Sequence, residues 1–228
     1  RPRNETKERR RMKGKKGVIF DLDGTLLDTL TDIADSMNAA LSRHGFPLHD
    51  SDDYRLMVGG GIDVLARRAV PRERRDDGTV SSVVAAMREE YGMRWAATSR
   101  PFPGVVEMLA GLACRNILCA VLSNKLDSFT KLMVRSLLGG FSFFQVRGLA
   151  AGQPRKPDPR AALEIAQDMR LTPEEMIFVG DSDIDMETGK RAGMTPLGVS
   201  WGYQAPEKLI LSGACVILDA PGDLLKYL

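Results

Sequence analysis

The stretch Val18-Ile19-Phe20-Asp21-Leu22-Asp23-Gly24-Thr25 sets two carboxylates two positions apart at the end of a short apolar run, just before a Gly-Thr turn. An unbroken apolar run bounded by a turn signal reads as a strand buried on both faces. Gly24 permits the sharp turn that would bring the carboxylates together, because it lacks a Cβ. A pair so arranged can act as a nucleophile beside an acid, which suits phosphoryl transfer. The same pattern also arises in fragments of calcium loops and at solvated helix starts, so the decision falls to the rest of the chain.

Working outward, residues 30–100 hold only helical patterns. Ile33, Met37, Ala40 and Leu41 share one face of a helix expected over 28–43, which Gly45-Phe46-Pro47 stops. Residues 62–70 and 80–97 are rich in helix formers, with no period-two strand between them. From Pro101 the character changes. Helices are expected over 104–113, 129–138, 159–169 and 186–192, alternating with apolar runs at 117–122, 143–146, 176–179, 196–199 and 215–218. Such alternation predicts an α/β fold, a Rossmann-like, mostly parallel sheet with helices on both faces, joined to a small all-helical cap domain. The boundaries that follow are a basic disordered tail over 1–16, a catalytic core over 17–29 and 101–228, and the cap over 30–100. Ligands of such sheets bind beyond the carboxyl ends of the strands, where strand order reverses.

The chain's 228 residues, 43% of them hydrophobic, suffice for a substantial core. A net charge of +2 conceals an asymmetry, since residues 1–16 carry +7 and the remainder −5. A basic end could contact nucleic acid or anionic lipid, but this one lacks the interleaved aromatics that stack on single strands; nucleic acid is not an expected partner. Met12 reads as a native start, which makes residues 1–11 an upstream extension. Cys114, Cys119 and Cys215 form an odd set without metal-ligand spacing, and read as small core residues in a reducing cytosol. No apolar run approaches the ~20 residues that span a bilayer. The expected location is cytoplasmic, with no membrane partner.

Three further segments follow apolar runs or open helices. Ser123-Asn124-Lys125 offers a hydroxyl at a strand end, able to donate to a phosphate oxygen or to cap the next helix. In Arg155-Lys156-Pro157-Asp158-Pro159, two prolines stiffen a helix entry and Lys156 is either an aimed point charge or an exposed loop lysine. Ile177-Phe178-Val179-Gly180-Asp181-Ser182-Asp183-Ile184-Asp185 crowds carboxylates behind a buried strand, which calls for a cation or donors. Magnesium is the natural partner, because Mg2+ is usually held by one or two carboxylates plus substrate phosphate. Asp21 and Asp181 would supply them, with Asp23 counted in the same metal set. Asp183 reads as a solvated loop acid.

In their order along the chain, these segments resemble the four signature motifs of the haloacid dehalogenase superfamily: D-x-D-G-T from Asp21 to Thr25, a Ser or Thr at Ser123, a Lys at Lys156, and G-D-x-x-x-D from Gly180 to Asp185. The insertion between the first two is similar to the helical cap of the phosphoglycolate phosphatase branch, including Met57-Val58-Gly59-Gly60-Gly61. Pro101-Phe102-Pro103-Gly104-Val105 and Val199-Ser200-Trp201-Gly202-Tyr203 resemble the same branch.

The resemblance implies Mg2+-dependent hydrolysis of a small phosphorylated metabolite, a phosphoglycolate-like monoester. Asp21 would attack phosphorus, and Asp23 would protonate the leaving alcohol, then deprotonate the water that cleaves the phosphoaspartate. Lys156 and Ser123 would meet the phosphoryl charge, Thr25 and Asn124 would position the phosphate, and Gly60 would belong to a substrate-facing loop. Asp185 would orient Lys156 or metal-bound water. Family dehalogenases lack an acid at the position of Asp23, and residues 30–100 hold no lysine for phosphonatase chemistry. A substrate carboxylate is left to Arg67, Arg68 or backbone groups. Three alternatives stay open: a β-phosphoglucomutase-like transfer, an inorganic pyrophosphatase, and a non-catalytic binding module using the basic tail.

Overall fold

The computed structural model describes residues 14–228, so the expectations for residues 1–13 lie outside the described residues. The chain runs β1 (Gly17–Phe20), β2 (Leu27–Asp28), α1 (Leu30–Arg43), α2 (Ser51–Met57), α3 (Ile62–Ala69), α4 (Asp77–Arg94) and β3 (Arg100–Pro101). It continues through α5 (Val105–Cys114), β4 (Leu118–Leu126), α6 (Asp127–Leu137), β5 (Gln145–Leu149) and α7 (Arg160–Asp168). The last elements are β6 (Met176–Gly180), α8 (Asp183–Arg191), β7 (Thr195–Val199), α9 (Pro206–Ser212) and β8 (Val216–Leu218).

Six strands form one sheet in the order β5-β4-β1-β6-β7-β8, every pairing parallel. From β1 the chain first builds outward through β4 and β5, then returns to build the other way through β6 to β8. Strand order therefore reverses beside β1, and the carboxyl ends of β1, β4 and β6 share one crevice. Apolar side chains on both faces of β1 explain its central place. Val18 and Phe20 join Val121 and Val179 in one layer, while Ile19 joins Ala120, Leu122 and Phe178 in the other. Helix α7 closes the second layer with Ala161, Ala162 and Ile165.

Between β2 and β3 the chain is helical. Helices α1 and α4 pack along each other, burying Ile33, Met37 and Leu41 of the first and Val80, Val83 and Met87 of the second. Strands β2 and β3 pair antiparallel, Leu27 with Pro101 and Asp28 with Arg100. Beside this ribbon the Asp32 carboxylate, 1% exposed, takes the backbone N–H and hydroxyl of both Thr98 and Ser99 at 2.7 to 3.1 Å. Burial alone would raise the Asp32 pKa, but these donors outweigh it and hold the carboxyl low.

Several expected bounds move for identifiable reasons. The first helix starts at Leu30 rather than residue 28, because Leu27 and Asp28 are committed to the ribbon. The helix expected over 80–97 runs Asp77–Arg94, since Asp76 Oδ1 caps it by accepting from Thr79 N at 2.9 Å. Strand β4 continues to Leu126, so Ser123 sits on the strand and does not cap the next helix. The last residues of the basic segment are not a loose tail: Lys15 is 7% exposed and donates to Glu174 O at 2.6 Å, and Lys16 pairs with Glu175 at 2.5 Å. Of the three cysteines expected in the core only Cys119 is buried, its thiol pushed up to about 12 by desolvation. Cys114, at the end of α5, is exposed and Cys215 half-buried. Among the described residues no helix is long and apolar enough to cross a membrane.

Candidate active site

Asp21 follows β1 directly, its N–H donating to Val179 O at 2.9 Å, which carries the carboxylate into the crevice. The turn after it is tight, with Leu22 O accepting from the N–H groups of Leu26 and Leu27 at 3.0 and 2.9 Å. Gly24 lies in this turn at φ +84°, and a Cβ there would fall 2.3 Å from Asp181 Oδ2. The glycine thus allows both the left-handed backbone and the close approach of the loop after β6. That loop delivers Asp181, and helix α8 delivers Asp185.

The Lys156 ammonium lies 2.8 Å from Asp21 Oδ1 and 2.7 Å from Asp185 Oδ1. Carboxylate oxygens of Asp21, Asp181 and Asp185 lie within 4.8 Å of one another, and all three residues are buried. Burial pushes Asp21 up to about 7; Lys156 opposes this, while Asp185 and Asp23 reinforce it. Burial likewise raises Asp181 well above the ordinary carboxylate range, reinforced by Asp185 and Asp21 against the Tyr203 N–H and the Thr25 hydroxyl. Burial also pulls on the Lys156 ammonium, but Asp185 and Asp21 outweigh it and keep the group protonated.

Three buried carboxylates against one buried ammonium leave an excess of negative charge that is costly without a further cation. Asp21 Oδ1 is buried and has no hydrogen-bond partner, Lys156 being near but out of line. An all-oxygen donor set of this kind fits a hard divalent cation, which Asp21, Asp181 and Asp185 could hold.

Asp23 stands apart from this cluster. Its carboxylate accepts from Lys125 Nζ at 3.0 and 3.1 Å and from Thr29 Oγ1 at 2.7 Å. The structure therefore does not bring the Asp23 side chain to the metal set in which the sequence had counted it, because Lys125 occupies both its oxygens.

The other expected site residues are distributed as follows. Ser123 is buried, and its Oγ accepts from Lys125 N at 3.2 Å, which leaves the hydroxyl hydrogen to donate toward the crevice. Asn124 is fully engaged: its Oδ1 accepts from Lys156 N at 2.8 Å, and its Nδ2 donates to Lys156 O at 3.1 Å and Gly59 O at 3.0 Å. It fixes the Lys156 backbone and the glycine loop. The Thr25 hydroxyl donates to Asp181 Oδ1 at 3.1 Å, so this side chain serves a carboxylate. Gly60 O accepts from Arg155 Nη1 at 2.9 Å, and the neighbours Gly59 and Gly61 line the cavity instead. Asp185 Oδ2 accepts from Ser182 N and Oγ at 3.1 and 2.5 Å, a capping box that starts α8 and fixes the carboxylate facing Lys156. Asp183 pairs at the surface with Lys208 at 2.9 Å.

Beside Asp21 and Asp23 opens a cavity of about 70 Å³, walled by Ile33, Val58, Ile62, Leu65, Met87, Tyr91 and Phe129. Arg67 and Arg68 face a separate cavity with Arg75 and Arg155, where their guanidinium groups donate to backbone carbonyls of Arg75, Leu56 and Met57.

Four residues that sequence reasoning left without roles complete the arrangement. Tyr203 N donates to Asp181 Oδ2 at 2.9 Å while its hydroxyl accepts from Thr29 N at 2.9 Å, linking the two carboxylate groups. Trp201 Nε1 donates to Thr25 O at 3.0 Å. Thr29 and Lys125 hold Asp23. Trp201 and Tyr203 lie in a quoted segment, and Lys125 ends another; their chemistry depends on distant partners that spacing does not reveal.

A family model for haloacid dehalogenase-like hydrolases matches residues 18–199. A phosphoglycolate phosphatase of Aquifex aeolicus is 31% identical over 212 residues, 92% of this chain and 95% of that protein. A phosphoglycolate phosphatase of Salmonella paratyphi A is 30% identical over 232 residues, 93% of this chain and 92% of that protein. Among solved structures, one from Haemophilus somnus described as a predicted phosphoglycolate phosphatase superposes with a TM-score of 0.87 at 28% identity, covering 94% of this chain and 98% of that one.

Proposed function

Since the chain belongs to the haloacid dehalogenase-like hydrolase family, we propose that it is a Mg2+-dependent phosphatase acting on a small, phosphoglycolate-like monoester. The observation that carries this reading is the placement of Asp21 and Asp23 around one turn, the first beside Lys156 and the acidic cluster, the second on the wall of a small cavity. Two relatives that each match over more than nine-tenths of this chain are named phosphoglycolate phosphatases.

In the first step an Asp21 oxygen attacks phosphorus in line; the bond from phosphorus to the ester oxygen breaks, and Asp23 gives that oxygen its proton. In the second, water attacks phosphorus, Asp23 takes the water's proton, and Asp21 departs as a carboxylate. Covalent catalysis divides one difficult displacement into two easier ones. Ser123 and Lys156 meet the charge on the transferring oxygens, and Asn124 and Asp185 keep Lys156 in place. Mg2+, held by Asp21 and Asp181 with Asp185 beside them, would neutralise phosphate charge. Helices α1 to α4 act as a cap domain over the core, hinged near residues 28–30 and 99–104, and exclude bulk water from the first step.

The test is phosphate release with Mg2+ from a panel of small phosphate esters, comparing the wild type with Asp21→Asn. The expected result is release by the wild type that the substitution abolishes. Undiminished turnover by Asp21→Asn would sink the mechanism.

A further inference from the structure

We propose that Lys125 is the specificity-determining residue of this site: its ammonium binds an anionic group carried by the leaving alcohol, on the carbon next to the ester oxygen. The inference rests on the phosphatase reading and adds to it the residue that selects the substrate.

Lys125 has a side chain only 9% exposed, yet it lines the cavity beside Asp23. An ammonium has three donors, and a single carboxylate can take two of them. The other near neighbour is Tyr91, whose ring centroid lies 4.5 Å from Nζ and whose hydroxyl also interacts with the ammonium. Among the described residues Asp23 is the one charged partner of this ammonium in the cavity wall, so a ligand anion entering there would compete with the neutral Tyr91 hydroxyl for a donor. Burial pulls the Lys125 ammonium toward neutrality, but Asp23 and Tyr91 outweigh it and keep the group charged.

The rest of the wall narrows the choice of ligand. Apart from the two aspartates, Ser123, Asn124 and Arg88, it is mostly apolar, and a leaving group rich in neutral hydroxyls would lose hydration there with few partners to gain. Among the described residues only Lys125 and Arg88 bring positive charge to this cavity. Arg88 lies on α4 and is exposed. Lys125 Nζ lies within 3.1 Å of both oxygens of Asp23, the group proposed to protonate the ester oxygen. An anion one carbon from that oxygen falls within reach of Lys125; an anion several bonds further out would meet Arg88 instead. Arg67 and Arg68 open onto the other cavity and cannot serve.

Phosphoglycolate and n-propyl phosphate are similar in size and differ in the charge at the end of the leaving group. With Mg2+ present, the wild type should favour phosphoglycolate in kcat/KM, and Lys125→Met should cut that preference roughly 10- to 100-fold, the range for one charge-assisted hydrogen bond. Lys125→Arg should keep most of it, and Arg88→Met should leave it intact. Circular dichroism melts establish that each variant is folded. Equal losses on both esters would mean that Lys125 acts only through Asp23, and would overturn the proposal. So would a wild type without preference, or a preference lost in Arg88→Met.

Should the wild type release phosphate from no ester, the phosphatase reading fails by itself. Calorimetric titration of both esters then still decides the role of Lys125. Tighter binding of phosphoglycolate that Lys125→Met removes would support it, and equal affinities would refute it.

Discussion

Replacing Lys156 by methionine keeps most of the stem's volume and deletes the one ammonium in the acidic cluster. The wild-type group is 4% exposed and stands 2.8 Å from Asp21 and 2.7 Å from Asp185. Without it, three buried carboxylates share a space in which their oxygens lie within 4.8 Å. Breaking a buried pair by removing one partner costs about 3–5 kcal/mol. With ~2–4 °C of Tm per kcal/mol in a chain of this size, the metal-free variant should melt about 6–20 °C below the wild type near pH 8.

The deficit should also depend on pH. An acid raised by burial, as Asp21 is to about 7, contributes its full stability below the unfolded carboxylate value of ~3.9 and loses it as pH rises through the folded value. Removal of Lys156 takes away the group that opposes this rise, so the deficit should narrow between about pH 8 and pH 6 as the carboxyls protonate. Millimolar Mg2+ should restore more Tm to Lys156→Met than to the wild type. Scanning calorimetry of chelator-treated and Mg2+-loaded protein reads all three effects. A metal-free deficit under about 1 kcal/mol, or one that widens on acidification, would refute the charge accounting.

In the wild type, the Mg2+-induced rise in Tm should grow from about pH 6 to pH 8 as the proton on Asp21 ceases to compete; a constant rise would remove Asp21 from the metal set. Asp32→Ala should destabilise by about 2–4 kcal/mol, since several charge-assisted bonds disappear together. Because the Asp32 carboxyl is held low, that gap should be full above the unfolded value of ~3.9 and close as pH falls below it, as urea midpoints across acid pH would register. Gly24→Ala should cost about 1–2 kcal/mol for its left-handed backbone and weaken Mg2+ binding by displacing Asp181. Unchanged metal affinity by calorimetry would show that the close approach is not needed.

The central strand was readable because Val18-Ile19-Phe20 is apolar without interruption, and only a strand covered on both faces tolerates that. The same holds for the runs that became β4 and β6, so the parallel sheet and the crevice at its carboxyl ends were foreseeable. Helix starts were less so, since Asp76 caps through a side chain four positions before the expected start at residue 80. In the candidate site, Asp21, Lys156, Asp181 and Asp185 were named from local spelling and the structure brings them together. Lys125 was not assigned a role because a lysine after Ser-Asn is written identically whether it faces solvent or is locked between Asp23 and Tyr91. Arg67 and Arg68 misled for the converse reason. Their positions on α3 fit a substrate contact, but the direction of that helix turns them to backbone carbonyls elsewhere.

The two-stranded ribbon of β2 and β3 has a consequence for how such an enzyme can change. It brings both ends of the helical excursion to adjacent backbone positions, Asp28 facing Arg100. A segment whose ends meet can be excised and exchanged without moving what flanks it. Ile62, Leu65, Met87 and Tyr91 travel with the exchanged part, whereas Asp21, Lys156 and Asp181 stay with the sheet. The apolar wall of the cavity is thereby separable in inheritance from the proposed phosphorus chemistry and from Lys125, which stays on β4. A graft at this junction should reshape the apolar wall around the leaving group while Lys125 and the residues proposed to act at phosphorus stay where they are.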